Sequence, residues 1–191
     1  MHRAAPLDDA IIFGENPTIQ IPTIKIPTIE IPTNKGSSME GSMKNLFQRE
    51  TVDEVITRIA TLQPATQRQW GKMDVAQMMA HCSAALDMAS GRMNPPRLLI
   101  GRLIGSFVKP IYTNDKPFSR NSPTDKKLIV SDQREFVREQ EQLKLQVRQF
   151  HDGGEAQCTR HPHPFFGALS AHDWSRGMYK HLDHHLRQFG A

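Results

Sequence analysis

Three histidines stand within five residues near the end of this 191-residue chain, in the segment HLDHHLRQFG that begins at His181. His181 and His185 are four residues apart, and side chains at that spacing are neighbours on one face of an α-helix. Two neighbouring imidazoles can bind one metal ion, because a neutral ring nitrogen of histidine is a common metal ligand. The alternative is that the three histidines are only the polar face of a last helix.

The geometry of an α-helix determines which residues would surround the pair. At about 3.6 residues per turn, one face of the last helix carries the following residues, which we expect to point inward: Trp174, Met178, His181, Leu182, His185, Gln188 and Phe189. Asp183 falls on the opposite side, where we expect it to lie at the surface. His184 falls on the flank.

A third histidine, His81, lies in the segment MDVAQMMAHCSAALDMASG, whose apolar residues recur at helical spacing. Asp74 is a suitable N-cap for this helix and Gly91 a suitable stop. A single histidine on an apolar face is more often a core residue with its hydrogen bonds satisfied. If this helix and the last helix are neighbours, however, three imidazoles converge. Three protein ligands with one open position are typical of a catalytic metal site rather than a structural one.

Several enzyme classes are excluded by their missing motifs. The zinc-protease motif HExxH needs glutamate where this chain has Leu182, so the last helix carries no built-in general base. The chain also lacks GxSxG, a P-loop, GxGxxG and the H-x-E…P-C-x-x-C signature of deaminases. Any metal-dependent chemistry would therefore be of another type.

Four long helices are predicted in all. ETVDEVITRIATL indicates the first, which ends before Pro64, and MDVAQMMAHCSAALDMASG is the second. SDQREFVREQEQLKLQVRQF indicates the third, with Ser131 as its N-cap, and the last helix begins with a capping box formed by Ser170 and Asp173. Between the second and third, NPPRLLIGRLIGSFVKP predicts a short helix or crossover. With no strand-like run, the fold class is all-α, a four-helix bundle.

The beginning of the chain differs from the rest in composition. PTIQIPTIKIPTIEIPTNK, from Pro17 to Lys35, repeats a proline every fifth residue, which is incompatible with a helix or a central strand. We expect residues 1–42 to be an extended, disordered tail and residues 43–191 to form the helical domain. The tail is either a linker or docking segment, or it is dispensable.

Charge and cysteine content limit the partners and the location. The net charge is +4 and the basic residues are spread along the chain, so we expect no binding to nucleic acid. No apolar run reaches the roughly 18 residues that a membrane span needs, and the first residues lack the apolar core of a signal peptide. Cys82 and Cys158 do not form a CxxC pair. These features predict a cytoplasmic protein without a membrane segment.

Two longer segments resemble a known family. WGKMDVAQMMAHC, from Trp70, and HPFFGALSAHDWSRGMYKHLDHHLRQFG, from His163, are similar to the DUF1569 family of the DinB/YfiT-like metalloenzyme superfamily. The resemblance implies a DinB-like four-helix bundle with up-down-down-up connections. It also implies a divalent metal ion held by one histidine of the second helix and the HxxxH pair of the last. Those positions are His81, His181 and His185, and three histidines do not select among zinc, nickel and iron.

The same resemblance implies a class of chemistry. Superfamily members include thiol S-transferases and thiol-dependent isomerases, so the implied partner is a small-molecule thiol or an electrophile. His184 and Gln188 are candidates to orient the metal ligands, because metal-bound imidazoles usually donate their other N–H to a partner. HPFFG is either a packed loop whose phenylalanines plug the bundle, or it places His163 at the mouth of the metal site.

Two functions of different classes remain open from the sequence. The first is a metal-dependent enzyme. The second is a non-catalytic bundle that binds metal for stability, or binds none, and acts as a binding or dimerising module. Exposed apolar residues of RLLIGRLIGSF, from Arg97 to Phe107, would serve a homodimer interface in the second case.

Overall fold

A computed structural model of the chain describes residues 43–120, 122 and 128–191. In this part of the chain five α-helices are present: α1 (Arg49–Thr61), α2 (Val75–Ala89), α3 (Leu99–Thr113), α4 (Phe136–Gly153) and α5 (Ala171–Gln188). The same residues form no strand; their one β-bridge joins His163 to Gly167. The predicted all-α class is confirmed. The predicted tail, residues 1–42, lies outside the described residues.

The starts of α2 and α5 follow the predicted caps. The side chain of Asp74 accepts a hydrogen bond from the backbone N–H of Gln77, and the Gln77 side chain accepts one from the backbone N–H of Asp74. Ser170 and Asp173 form the equivalent reciprocal pair before α5. Each capping box satisfies amide groups that the first turn of a helix leaves without an acceptor. The two helices that carry the histidines therefore begin at fixed points.

The predicted N-cap of α4 was wrong. Helix α4 begins at Phe136, not after Ser131. The Glu135 carboxylate accepts hydrogen bonds from the backbone N–H groups of Val137 and Arg138, so it caps the helix in the role usually taken by a shorter side chain. An exposed segment therefore precedes the helix where the sequence had suggested its first turn.

The predicted crossover is a full helix of 15 residues, α3. Its glycines allow it to lie very close to its neighbours: a Cβ atom on Gly101 would stand only 2.6 Å from the backbone oxygen of Phe165. Further along, the Tyr112 ring covers Gly177 of α5, where a Cβ atom would overlap it. The close approach packs α3 against α5 and the turn before it.

Helix α2 is buried over most of its length. It packs against α4 and α5, and α1 packs against the same two helices. The largest fully buried apolar side chains come from all four helices and, in the case of Leu46, from the turn before α1: Leu46, Val55, Ile59, Met78, Met79, Leu86, Leu143, Val147, Trp174, Leu182 and Leu186. Since α2 and α5 are direct neighbours, the condition for three converging imidazoles is met.

Candidate metal centre

Three histidine rings meet between α2 and α5. His81 lies in the middle of α2, and His181 and His185 lie on successive turns of α5. The Nε2 atoms of His81 and His181 are 2.9 Å apart, and one ring nitrogen from each histidine lies within 4.8 Å of the other two. Nitrogen ligands at the roughly 2.0–2.1 Å typical of zinc stand about 3.3 Å apart in a tetrahedral site. The observed spacing brackets that value, so the three side chains fit one metal ion.

Two of the rings are held in a defined tautomer. The Nδ1 atom of His81 lies 2.8 Å from the backbone oxygen of Leu128, which can only accept, so Nδ1 carries the proton. The Nδ1 atom of His185 lies 2.8 Å from Oε1 of Gln188. That amide is oriented because its Nε2 donates to the backbone oxygen of Trp70 at 2.7 Å. In both rings Nε2 keeps its lone pair, as a metal ligand requires.

The third ring, His181, has no such anchor. With a lone pair already on Nε2 of His81, the short Nε2–Nε2 distance requires His181 to hold its proton on Nε2 and donate it. Its buried Nδ1 atom then finds no hydrogen-bond partner among the described residues. A cation bound by the three rings would displace that proton to Nδ1. The Nε2–Nε2 hydrogen bond and a bound ion are therefore alternative states of the cluster.

Burial keeps the three imidazoles neutral. His81 and His185 are only 2% and 7% exposed, whereas His181 is partly accessible. Desolvation is the main cause that lowers the pKa of each ring, and it lowers the pKa of His185 to about 3. Repulsion from the neighbouring imidazoles lowers the pKa of His181 and His185 further. At neutral pH all three rings are in the form that binds metal.

The prediction that Asp183 lies at the surface was wrong. Asp183 is 6% exposed, and its carboxylate accepts hydrogen bonds from Nη1 of Arg58 at 2.9 Å and Nε of Arg187 at 3.1 Å. Helix α1 packs against this side of α5. A projection of α5 alone does not include α1 and therefore assigned this side to solvent. The carboxylate is turned away from the histidines, and no acidic side chain of the described residues belongs to the cluster. A bound ion would have three neutral protein ligands.

The remaining predicted residues lie around the cluster rather than in it. Gln188 contacts His185 through its side-chain oxygen. The ring of His184 stands 5.1 Å from that of His185 and also contacts Trp70. The Nδ1 atom of His163 accepts hydrogen bonds from the backbone N–H groups of Phe165 and Phe166, at 3.1 and 3.2 Å. His163 is thus the pivot of the HPFFG turn and is not one of the three converging rings.

The family model described as Protein of unknown function (DUF1569) matches residues 42–191. The chain belongs to the DUF1569 family. No curated protein and no solved structure matches it. The family predicted from the two motifs is confirmed, and the match covers both histidine-bearing helices of the DUF1569 domain.

The sequence did not reveal several neighbours of the cluster in this DUF1569 domain. The backbone oxygen of Leu128 orients His81. Because it is a main-chain atom, the residue type at position 128 does not indicate this role. Tyr112 of α3 packs 5.4 Å from the His163 ring and 6.4 Å from Trp174. Its hydroxyl and Nε1 of Trp174 are buried without a hydrogen-bond partner among the described residues.

Among the described residues, no helix has both the length and the apolar character that a membrane span requires.

Proposed function

We propose that this DUF1569 protein binds one divalent metal ion through His81, His181 and His185 and acts as a metal-dependent enzyme. The observation that carries the proposal is the convergence of three neutral imidazoles, two of which have their Nδ1–H groups committed to Leu128 and Gln188. Zinc suits three neutral imidazoles in tetrahedral geometry, and nickel or iron(II) would also bind. Three protein ligands leave a coordination position for a water or a substrate.

The surroundings of the site favour catalysis at the ion over acid–base catalysis by side chains. When bound, a divalent ion lowers the pKa of a coordinated water or thiol and so supplies a nucleophile at neutral pH. The chain leaves the charge of such an ion uncompensated, because Asp183 is paired with Arg58 and Arg187 instead. His181 is the accessible ligand of the three, so we place the entry for substrate on its side.

The finer assignment is to the DinB-like superfamily. The histidine on α2 and the HxxxH pair on α5 match the arrangement of metal ligands that the resemblance to this superfamily implies. We propose that α1, α2, α4 and α5 are the up-down-down-up bundle and that α3 is its crossover. The corresponding reaction type is thiol S-transfer or thiol-dependent isomerisation, with a small-molecule thiol or an electrophile as the partner. The uncompensated positive charge at the site supports a thiolate ligand.

A second candidate function is a non-catalytic, metal-binding or dimerising bundle. It is favoured by one observation: α3 exposes a row of large apolar side chains that an enzyme does not need for its chemistry. The two candidates differ in what a small thiol does at the site. An enzyme of the proposed type lets the thiol bind the ion, whereas a structural ion is already enclosed by its ligands.

Cobalt(II) substitution tests the proposal. Three-histidine sites give cobalt an absorption spectrum that depends on its fourth ligand, so a small thiol such as glutathione should add a thiolate-to-cobalt band in the wild type. The His81→Ala variant should give neither the tetrahedral spectrum nor the band. A spectrum unchanged by any thiol would contradict thiol chemistry. Loss of helical circular dichroism on metal removal would favour the structural role.

A further inference from the structure

One face of α3 is apolar, and its large side chains are exposed in the part of the chain that the structure describes. Six large apolar side chains of this helix are between 41% and 80% exposed, and they define what we call the α3 stripe: Leu99, Ile100, Leu103, Ile104, Phe107 and Ile111. Elsewhere in the described residues, large apolar side chains exposed to this degree occur only singly, at Ile129, Val137 and Leu145. Scattered residues of that kind are normal, but a contiguous row marks an interaction surface.

The stripe is distinct from the face that holds α3 to the domain. Leu99, Leu103 and Phe107 follow one another at intervals of four residues, so their side chains form a continuous ridge. The opposite face carries Gly101 and Gly105, which lie against the backbone of Phe165. Helix α3 is thus apolar on both sides, and among the described residues only its inner side makes contacts with the rest of the domain.

The charges near the stripe restrict its partner. No charged residue lies within it. On α3 only Arg102 and Lys109 are charged, and Lys109 is already paired with Asp173 at 2.9 Å and donates to the backbone oxygen of Ala168. A helix that binds an anionic membrane surface usually has several basic residues flanking its apolar face. Arg102 alone does not provide them, so the charges favour an apolar protein surface over a membrane.

We propose that the α3 stripe is the contact surface between two copies of this chain. In a twofold pair the same patch meets itself, which requires that it carry no like charges, and the stripe satisfies this condition. Two α3 helices running in opposite directions would pack the ridge of one against that of the other, with Leu103 and Phe107 at the centre. A second copy is also the one apolar partner that is always present with the protein.

The size of the stripe agrees with a dimer contact. Each exposed large apolar side chain offers on the order of 100 Å² to a partner, so six offer about 600 Å² per chain. Two chains would then bury about 1,200 Å², which is at the lower limit of stable interfaces. Neighbouring polar residues such as Arg102 and Ser106 would add a rim. A reversible dimer with its strongest contacts in the middle of α3 is expected.

Sedimentation velocity of the full chain over a range of concentrations tests the proposal. Leu103→Glu combined with Phe107→Glu places two carboxylates at the centre of the stripe in each copy, and the dimer dissociation constant should rise at least about 100-fold. The control is Leu145→Glu, which changes an exposed leucine of α4 outside the stripe and should leave the dimer intact. Since all three side chains are exposed, the variants should keep the helical circular dichroism of the wild type.

Each of the other outcomes would overturn the proposal. A wild type that stays monomeric up to high concentration would overturn it. A wild-type dimer that the stripe variant does not weaken would also overturn it. Binding of monomeric wild type to anionic vesicles, lost in the stripe variant, would make the stripe a membrane contact. If deletion of residues 1–42 turned a monomeric wild type into a dimer, the result would show that the tail covers the α3 stripe. The metal site is unaffected by these changes, so the two proposals fail independently.

Discussion

The Nδ1 atom of His185 lies 2.8 Å from Oε1 of Gln188, and the amide of Gln188 donates to the backbone oxygen of Trp70 at 2.7 Å. This relay fixes the ring of His185 from the side opposite the cluster. It also joins the end of α5 to the segment before α2, and these are the two helices that carry the three histidines. The orientation of a candidate metal ligand therefore depends on a residue that does not face the metal.

The first prediction that follows from this relay concerns the Gln188→Leu variant. Without the amide acceptor, the Nδ1–H of His185 loses its partner and the ring is free to turn. We expect one metal ion to bind per chain as before, but about 10–100-fold more weakly, as measured by competition with a chromogenic chelator. Gln142→Leu, on an exposed position of α4, is the matched control. Equal affinity in the wild type and both variants would show that the relay does not orient the ligand.

The second prediction concerns pH and the metal-free protein. Burial lowers the pKa of His81, His181 and His185 in the folded state, so below their ordinary pKa of 6.5 the unfolded state binds more protons. The contribution of these histidines to the free energy of unfolding should therefore be constant above about pH 7 and fall as the pH decreases from 6.5 towards 3. One pH unit below 6.5, each histidine that stays neutral costs about 1.4 kcal/mol.

Urea unfolding at a series of pH values measures this dependence. His185→Phe should reduce the slope below pH 6.5, because one buried titrating group is replaced by an aromatic ring that does not titrate. His161→Phe changes an exposed histidine and is the control. The same slope in His185→Phe as in the wild type would contradict a histidine that stays neutral on folding.

The third prediction separates the buried ion pairs from the metal site. Asp183→Asn removes the charge that compensates Arg58, whose side chain is 18% exposed. Breaking a buried pair costs several kcal/mol, but Arg58 also bonds the backbone oxygen of Ala191, so we expect a loss of about 2–3 kcal/mol. The thermal midpoint should fall by roughly 4–12 °C.

The metal stoichiometry of Asp183→Asn should be unchanged, since the carboxylate points away from the histidines. Asp53→Asn, in the largely exposed pair with Arg49, is the control and should cost less than about 1 kcal/mol. If Asp183→Asn kept its fold but no longer bound metal, the result would show that this carboxylate contributes to metal binding.

The fourth prediction tests how α3 is held against the domain. Gly177→Ala introduces a methyl group into space taken by the Tyr112 ring, which is itself 4% exposed and cannot move outward freely. We expect a loss of about 1–3 kcal/mol in the free energy of unfolding, measured by urea denaturation. In Gly177→Ala combined with Tyr112→Ala the clash is absent, so the two changes should be far from additive. Additive effects would contradict the contact.

The features that local sequence determines were predicted well. The capping residues Asp74, Ser170 and Asp173 act within one turn of chain, so residue type and spacing were sufficient to find them. The inward direction of His181 and His185 follows from helix periodicity alone. Their meeting with His81 needed the additional condition that α2 and α5 are neighbours, which the apolar faces made plausible and the structure shows.

The features that depend on distant segments, on backbone atoms or on an unusual local cap were not predicted. Asp183 was assigned to the surface because a projection of α5 does not contain Arg58 of α1, which is 125 residues away. The start of α4 was placed too early because Ser131 is a common cap, whereas the longer side chain of Glu135 reaches the free amides of the first turn. The Leu128 carbonyl that orients His81 is a backbone atom, so no residue type could indicate it.

Elemental analysis of the purified, tag-free chain tests the central claim most directly. After incubation with zinc and removal of unbound ions, the wild type and a His161→Ala control should each retain about one zinc ion per chain. His81→Ala should retain none and keep its helical circular dichroism. A His81→Ala variant with the same zinc content as the wild type, or a wild type that binds none of zinc, nickel and iron(II), would contradict a metal site formed by His81, His181 and His185.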